Sequence, residues 1–415
     1  MTISPDGESA TGEQMIQFQA VTGGDQLRFE TGTFQIIEAT LDGMALLSEM
    51  SDETALILNL PRAIDPDGTY DLHIRYQLTL SGRGFVRQAG LTASNYFACD
   101  WMVCNQSDFA DRFTMALCLD APAQLQTIGP GELTASTLRP DDKRLSRWET
   151  DAPYPAYIHA FALGEFERAD VSGECETALE IVAPTIAPDV RTAFSPTCEM
   201  LRFFERKAGM PFPKPGYIQI YIPESRAAQE AISHSLIGGH FLDPILDDPT
   251  EDWLVAHELA HQWWGNGVTA KDLSEFWLNE GIVTFMVAAW KEHRWGRPAY
   301  DHEIGLARRR WQSRLADSRD VPLAFDGPYV SLGVRRSIQY SKGAVFLDTL
   351  RTRMGEDAFW AGLAQFTTDG YGKSVISEDF ERAMQAQTDQ PLGPLFRQWV
   401  YGDDHLQEAD PMQRP

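Results

Sequence analysis

Between residues 70 and 80 apolar and polar side chains alternate without a break. Leu72, Ile74, Tyr76, Leu78 and Leu80 share one face, and Asp71, His73, Arg75, Gln77 and Thr79 share the other. A period of two is that of a half-buried β-strand. Met115, Leu117 and Leu119 repeat it within residues 114–120. Pro61, Pro66-Asp67-Gly68, Gly82, Gly84 and Gly129-Pro130-Gly131 punctuate such runs. The pattern predicts an all-β region as far as residue 165 or so.

The period then changes. Residues 189–208 carry helical spacing, with Val190, Phe194, Leu201 and Phe204 as core positions and Gly209 and Pro211 as the stop. Residues 216–222 alternate again through Ile218, Ile220 and Ile222, and helices dominate from about Thr250 onward. The fold class expected is α+β: an N-terminal all-β domain followed by a mostly helical domain. The division expected is a polar tail at 1–15, a β-rich domain at 16–166, a helical domain at 167–402 and a polar tail at 403–415.

Composition adds limits. A chain of 415 residues with 43% hydrophobic content supplies two cores. Its 60 acidic against 35 basic residues give a formal charge of -25, which repels phosphate backbones and anionic lipid. No nucleic-acid or membrane partner is therefore expected. Residues 1–14 lack the apolar core of a signal peptide, and no apolar run reaches the ~18 residues of a membrane span. A cytoplasmic location follows as the default. Cys99, Cys104, Cys118, Cys175 and Cys198 are an odd, sparse set, read as buried thiols.

Residues 257–261 read His-Glu-Leu-Ala-His inside a segment, 250–264, with helix signals: Thr250 as cap, Glu251 and Asp252 in the first turn, Gly265-Asn266-Gly267 as the end. Residues four apart share a helix face, so His257 and His261 can converge on one cation at about 2.0–2.1 Å. Glu258 follows the first ligand and can reach the attacking water. A second helix, expected over 274–295 and capped by Ser274, carries Trp277-Leu-Asn-Glu280-Gly. Glu280 would complete a site with two His, one Glu and an open fourth position, the donor set of a catalytic zinc. The expectation is one Zn²⁺ per chain. Trp253, Trp263, Trp264, Phe276 and Trp277 mark the region as core rather than as a surface helix pair.

These residues resemble the aminopeptidase N and leukotriene hydrolase family of zinc peptidases. The likeness lies in His257-Glu-Leu-Ala-His261-Gln-Trp-Trp-Gly-Asn266 and Trp277-Leu-Asn-Glu280-Gly. Tyr340-Ser-Lys-Gly-Ala344 is similar to the family's Tyr-x-Lys-Gly-Ala segment, which implies that Tyr340 stabilises the transition state; on its surroundings alone Tyr340 reads as a core aromatic. Residues 157–166 resemble the strand closing the family's β domain, and Gln398-Trp399-Val400 the end of its thermolysin-like catalytic domain. The resemblance implies a zinc hydrolase in which Glu258 is the general base and Tyr340 the oxyanion donor. Lys342 and Gly343 are expected to serve packing.

Two departures accompany it. Family members carry a further, mostly helical C-terminal domain, which this sequence is expected to lack. The Gly-x-Met-Glu-Asn exopeptidase motif is replaced by Gln229-Glu230-Ala231-Ile232-Ser233, with Ile232 where the amine-binding Glu belongs and Glu230 two residues out of register. Glu230, Ala231, Ile232 and Ser233 are the candidate substrate-binding residues. His234 and His240 lie near the same expected edge strand, and Arg335 and Arg336 could meet a substrate carboxylate or be solvated. Three functions stay open: a peptidase, a zinc hydrolase of a non-peptide epoxide or amide, and a non-catalytic binding module. The substrate is a peptide or small molecule, and the oligomeric state is left open.

Overall fold

The computed structural model describes residues 1–32, 34–51, 55–315 and 320–402; the expected tail at 403–415 lies outside them. The chain forms two compact units. The first comprises residues 1–169, 182–186 and 219–239, and the second the remainder.

The first unit is built of sheets, as the alternating pattern requires. Its largest sheet has eight strands, with Thr69–Thr79 inside it. That strand pairs antiparallel with Ser9–Gln19, Met15 lying opposite His73. Leu72, Ile74, Tyr76, Leu78 and Leu80 are all buried, while Asp71, Arg75, Gln77 and Thr79 are exposed. The alternation thus specifies which face meets the core. Residues 1–15, expected as a polar tail, instead supply the strand Thr2–Ile3 and most of Ser9–Gln19. Thr2, Glu8 and Glu13 are exposed, Gln14 instead bonds to the Val103 backbone, and the strand pairing uses the backbone.

The first unit also contains the hairpin of Ala228–Ala231 with His234–Gly238. Ile232 and Ser233 form its two-residue turn, with Ser233 at φ 64°.

The second unit is mainly helical. The helix expected over 189–208 is two helices, Pro188–Phe194 and Thr197–Ala208, broken at Ser195-Pro196 and ended by Gly209 at φ 70°. Proline lacks the N–H that would continue the first helix and disfavours helical geometry at the residue before it. In the strand Gly216–Ile222, Tyr217 and Gln219 are buried alongside Ile220 and Ile222, so simple alternation fails there.

Four cysteines are disulfide-bonded, which corrects the reading of them as thiols. Cys99 joins Cys104 in the first unit with Cα atoms 5.3 Å apart, and Cys175 joins Cys198 in the second at 5.7 Å. Both distances lie in the normal range for a bridge. The first pair is brought together by a distant strand end: the Glu30 N–H donates to the Cys104 carbonyl and the Gly32 N–H to that of Cys99. Cys118 remains a thiol. Among the described residues, no helix is long and apolar enough to cross a membrane.

Candidate active site

The motif helix runs Trp253–Ala260 and is shorter than expected at both ends. Thr250 does not cap it. Residues 249–251 form a 3-10 turn, and the Asp248 carboxylate accepts from the Thr250 N–H at 2.9 Å. After Ala260 the chain leaves the helix in a turn. There the His261 Nδ1–H donates to the Trp264 carbonyl at 3.0 Å, which fixes the tautomer with Nε2 unprotonated, as metal ligation requires. Gly265 makes that turn possible. Its φ is 127°, and a Cβ on it would stand 2.8 Å from His261 Nδ1.

The second helix runs Trp277–Trp295, starting three residues later than expected, so Ser274 is not its cap; Ser274 and the Asp272 carboxylate form a separate turn. Buried indoles tie both helices in place. Trp264 donates to Thr367 at 2.8 Å, Trp277 to Ser377 at 2.9 Å and Trp290 to Asp252 at 2.7 Å. Each tryptophan thereby buries its rings and satisfies its single donor.

The two elements bring three donors together. His257 Nε2 and His261 Nε2 are 3.2 Å apart, and each is 3.4 Å from Glu280 Oε2. Tetrahedral ligands at ~2.0–2.1 Å from a zinc ion would be separated by roughly 3.3–3.4 Å. The triangle therefore has the dimensions of three corners of such a site. Glu280 Oε2 is buried and has no hydrogen-bond partner among the described residues, so its lone pairs suit a metal ligand. Burial lowers the pKa of His257, which keeps its imidazole neutral.

Tyr340 completes the cluster. Its hydroxyl donates to Glu280 Oε1 at 2.6 Å, so the two carboxylate oxygens face different partners. Its ring lies parallel to that of His257 at a centroid distance of 6.2 Å. Tyr340 sits on a turn of π-helix, Ser337–Lys342, followed by the helix Gly343–Met354. Lys342 is buried and donates to Asp320 at 3.0 Å and to the Val321 carbonyl at 2.6 Å, a packing role as expected. Glu258 is buried on the motif helix.

Of the remaining candidates, Glu230, Ala231, Ile232, Ser233 and His234 belong to the first unit, and His240, Arg335 and Arg336 to the second. Glu230 and Ala231 end the strand Ala228–Ala231 of the first unit, and both are buried. In the turn, the Ile232 N–H donates to the Ile158 carbonyl at 3.1 Å, and the Ser233 hydroxyl donates to that of Gly131 at 2.7 Å. His234 is fully buried with Nδ1 3.1 Å from the Ile232 carbonyl, and burial pushes its pKa down to about 4. It reads as a neutral structural residue. His240 and Arg336 are exposed, and Arg335 donates to Gln339. Sequence reasoning missed Gln339 and Asp252.

A helical unit presenting two histidines one turn apart and a glutamate from the next helix defines a His-Glu-x-x-His metal-centre protein. Residues 192–399 match the model of the peptidase family M1 domain, and the chain belongs to that family. It is 24% identical over 273 residues to probable aminopeptidase 1 of Saccharolobus solfataricus, covering 63% of this chain and 34% of that protein. With human aminopeptidase N it shares 26% identity over 370 residues, covering 80% of this chain and 38% of the relative. The chain thus spans about a third of the length of such curated relatives. An M1 zinc metallopeptidase from Deinococcus radiodurans superposes with a TM-score of 0.77 at 21% identity, over 100% of this chain and 94% of that one. A variant of that protein bound to a Tyr-Ser-Ala substrate gives 0.75 at 22% identity, covering 96% of this chain and 91% of that one. At such identity the likeness is one of fold. The expected two-part α+β architecture and the expected family are both borne out.

Proposed function

We propose that this chain is a zinc-dependent peptidase whose metal is held by His257, His261 and Glu280. The observation that carries the reading is the donor triangle of 3.2, 3.4 and 3.4 Å, with Tyr340 hydrogen-bonded to the ligand oxygen that the triangle leaves over. When bound, the ion supplies Lewis acidity, lowering the pKa of water and polarising a carbonyl. Glu258 follows His257 on the motif helix and takes the proton from the attacking water. The same carboxyl then returns the proton to the leaving nitrogen. Tyr340 turns its hydroxyl from Glu280 to the oxyanion that develops on the substrate carbonyl.

The substrate proposed is a peptide, in keeping with the tripeptide held by the structural neighbour. The disulfides bear on location. Two bridges persist in an oxidising compartment and not in a reducing cytoplasm, so they support a site outside the cytoplasmic default.

Metal analysis tests the reading. The purified chain should hold one zinc, lose peptide hydrolysis on chelation and regain it with added Zn²⁺. His261→Ala should fail to retain the ion, since one of three protein ligands is gone. Full zinc retention in that variant would remove the assignment.

A further inference from the structure

The hydroxyl of Tyr340 reaches Glu280 only because two helical segments cross at a fixed height and rotation. The π-turn at Ser337–Lys342 makes that rotation sensitive. A π-turn holds one more residue than an α-turn, and relaxing it to α would swing every side chain in the turn by roughly 100°. Something must therefore hold the π-turn against the segment that leads to Glu280.

Gln339 is placed to do so. Its side chain is fully buried and spans two partners. Its amide nitrogen donates to the Leu273 carbonyl at 2.6 Å, and its amide oxygen accepts from Arg335 Nε at 2.8 Å. Leu273 lies in the lead-in to the helix Trp277–Trp295, which carries Glu280. The Arg335 guanidinium lies 5.4 Å from the ring centroid of Phe276, in the same lead-in. One side chain thus bonds to the segment before Glu280 and to the helix turn before Tyr340. Gln339 is also the immediate neighbour of Tyr340, so a shift in its backbone is a shift in Tyr340.

We propose that Gln339 is a positioning residue for the reaction: its amide clamps the π-turn to the Leu273 lead-in and thereby holds the Tyr340 hydroxyl at hydrogen-bonding distance from Glu280. The inference rests on the reading of Tyr340 as the oxyanion donor. Displacing a reacting group by about 1 Å can cost as much as 10²-fold in rate. Gln339 touches no reacting atom, so its whole effect must pass through Tyr340.

A double-mutant cycle with a structural arm tests this. Gln339→Met keeps the length and apolar bulk but removes both hydrogen bonds. In the zinc-loaded enzyme it should lower kcat about tenfold or more, with KM within about twofold and zinc content unchanged. Tyr340→Phe alone should cost about 10²–10³. The double variant should be no slower than Tyr340→Phe, because the second change acts on a hydroxyl already absent. A crystal structure of Gln339→Met should show the Tyr340 hydroxyl no longer bonded to Glu280. If Gln339→Met does not fold, Gln339→Asn, whose amide falls one methylene short, enters the same cycle. A loss that persists in the Tyr340→Phe background, or a hydroxyl still on Glu280, overturns the proposal. A zinc-loaded wild type that cleaves no peptide refutes the proposed function instead, and the crystallographic arm still decides the role of Gln339.

Discussion

Gly281 and Gly343 meet backbone to backbone. A Cβ on Gly281 would stand 2.9 Å from the Gln339 carbonyl oxygen and 3.0 Å from Gly343 Cα, and one on Gly343 would stand 2.8 Å from Gly281 Cα. Each glycine follows closely on a residue of the candidate site, Glu280 in one segment and Tyr340 in the other. The absence of two side chains sets how near those segments come, and hence allows the hydroxyl–carboxylate bond of 2.6 Å.

Gly343→Ala should therefore act on both stability and rate. The new methyl meets backbone, which cannot rotate away, so the segments must separate. Overpacking of this kind costs about 1–3 kcal/mol. Urea denaturation should show that loss, and kcat should fall at least tenfold as Tyr340 withdraws. A variant as stable and active as wild type would mean that the crossing is looser than the distances indicate.

Glu258→Gln should keep the zinc and lose turnover by about 10²–10⁴, because Gln fills the same space but accepts no proton. Tyr340→Phe should keep the fold and lose about 10²–10³ in kcat. Paired metal analysis and peptide assay separate these roles from ligand loss. Near-normal turnover in Glu258→Gln would take the general base elsewhere.

The residues of the donor triangle were legible because their chemistry is local. A helix forces His257 and His261 onto one face, and the tryptophans around Glu280 announce a buried second helix. The strand at Thr69–Thr79 was legible because alternation and burial coincide. Element ends were not, since Asp248 and Thr250 have nearly equal capping chemistry and tertiary packing decides between them. The Cys99–Cys104 bridge was hidden because its geometry depends on hydrogen bonds from Glu30 and Gly32, some seventy residues earlier in the chain. Gln339 was hidden for the same reason, as its partner Leu273 is remote in sequence.

The cysteine pairing makes a count. Denatured without reductant, the chain should release one thiol, that of Cys118, and after reduction five. Thiol titration reads this directly. Five thiols before reduction would restore the reading of the cysteines as reduced and remove the argument for an oxidising compartment.

Asp252 should give the chain a pH-dependent weakness. Burial pushes its pKa up to about 6, against the opposing pull of the Trp290 hydrogen bond and of Lys291 and Arg294. The folded state then holds a proton that the unfolded state, titrating at 3.8, has released. Stability falls as pH rises between those two values and stays reduced above them. The penalty is on the order of 3 kcal/mol at most. Asn keeps an acceptor for Trp290 but no charge. Asp252→Asn should match wild type near pH 4 and exceed it in stability above about pH 7. Equal stability at both pH values would show that Asp252 does not titrate as described.

The sequence resemblance puts Ile232 where an amine-binding carboxylate is expected. A substrate ammonium entering a buried site needs an acidic partner, or its desolvation goes uncompensated. Ile232 cannot supply one: it forms the hairpin turn, its N–H is committed to Ile158 and its side chain is fully buried. Glu230, two residues earlier on the strand Ala228–Ala231, is a buried carboxylate in the same segment. We expect free-amine peptides to be cut faster than their N-acetyl forms, and Glu230→Ala to remove that preference by raising KM for the free amines. Comparable cleavage of acetylated and free peptides, with Glu230→Ala silent, would instead favour endopeptidase action or a non-peptide amide substrate. A free-amine preference that survives Glu230→Ala would place the amine on a different acid. The three outcomes differ in one pair of substrates and one variant, so a single set of progress curves decides among them.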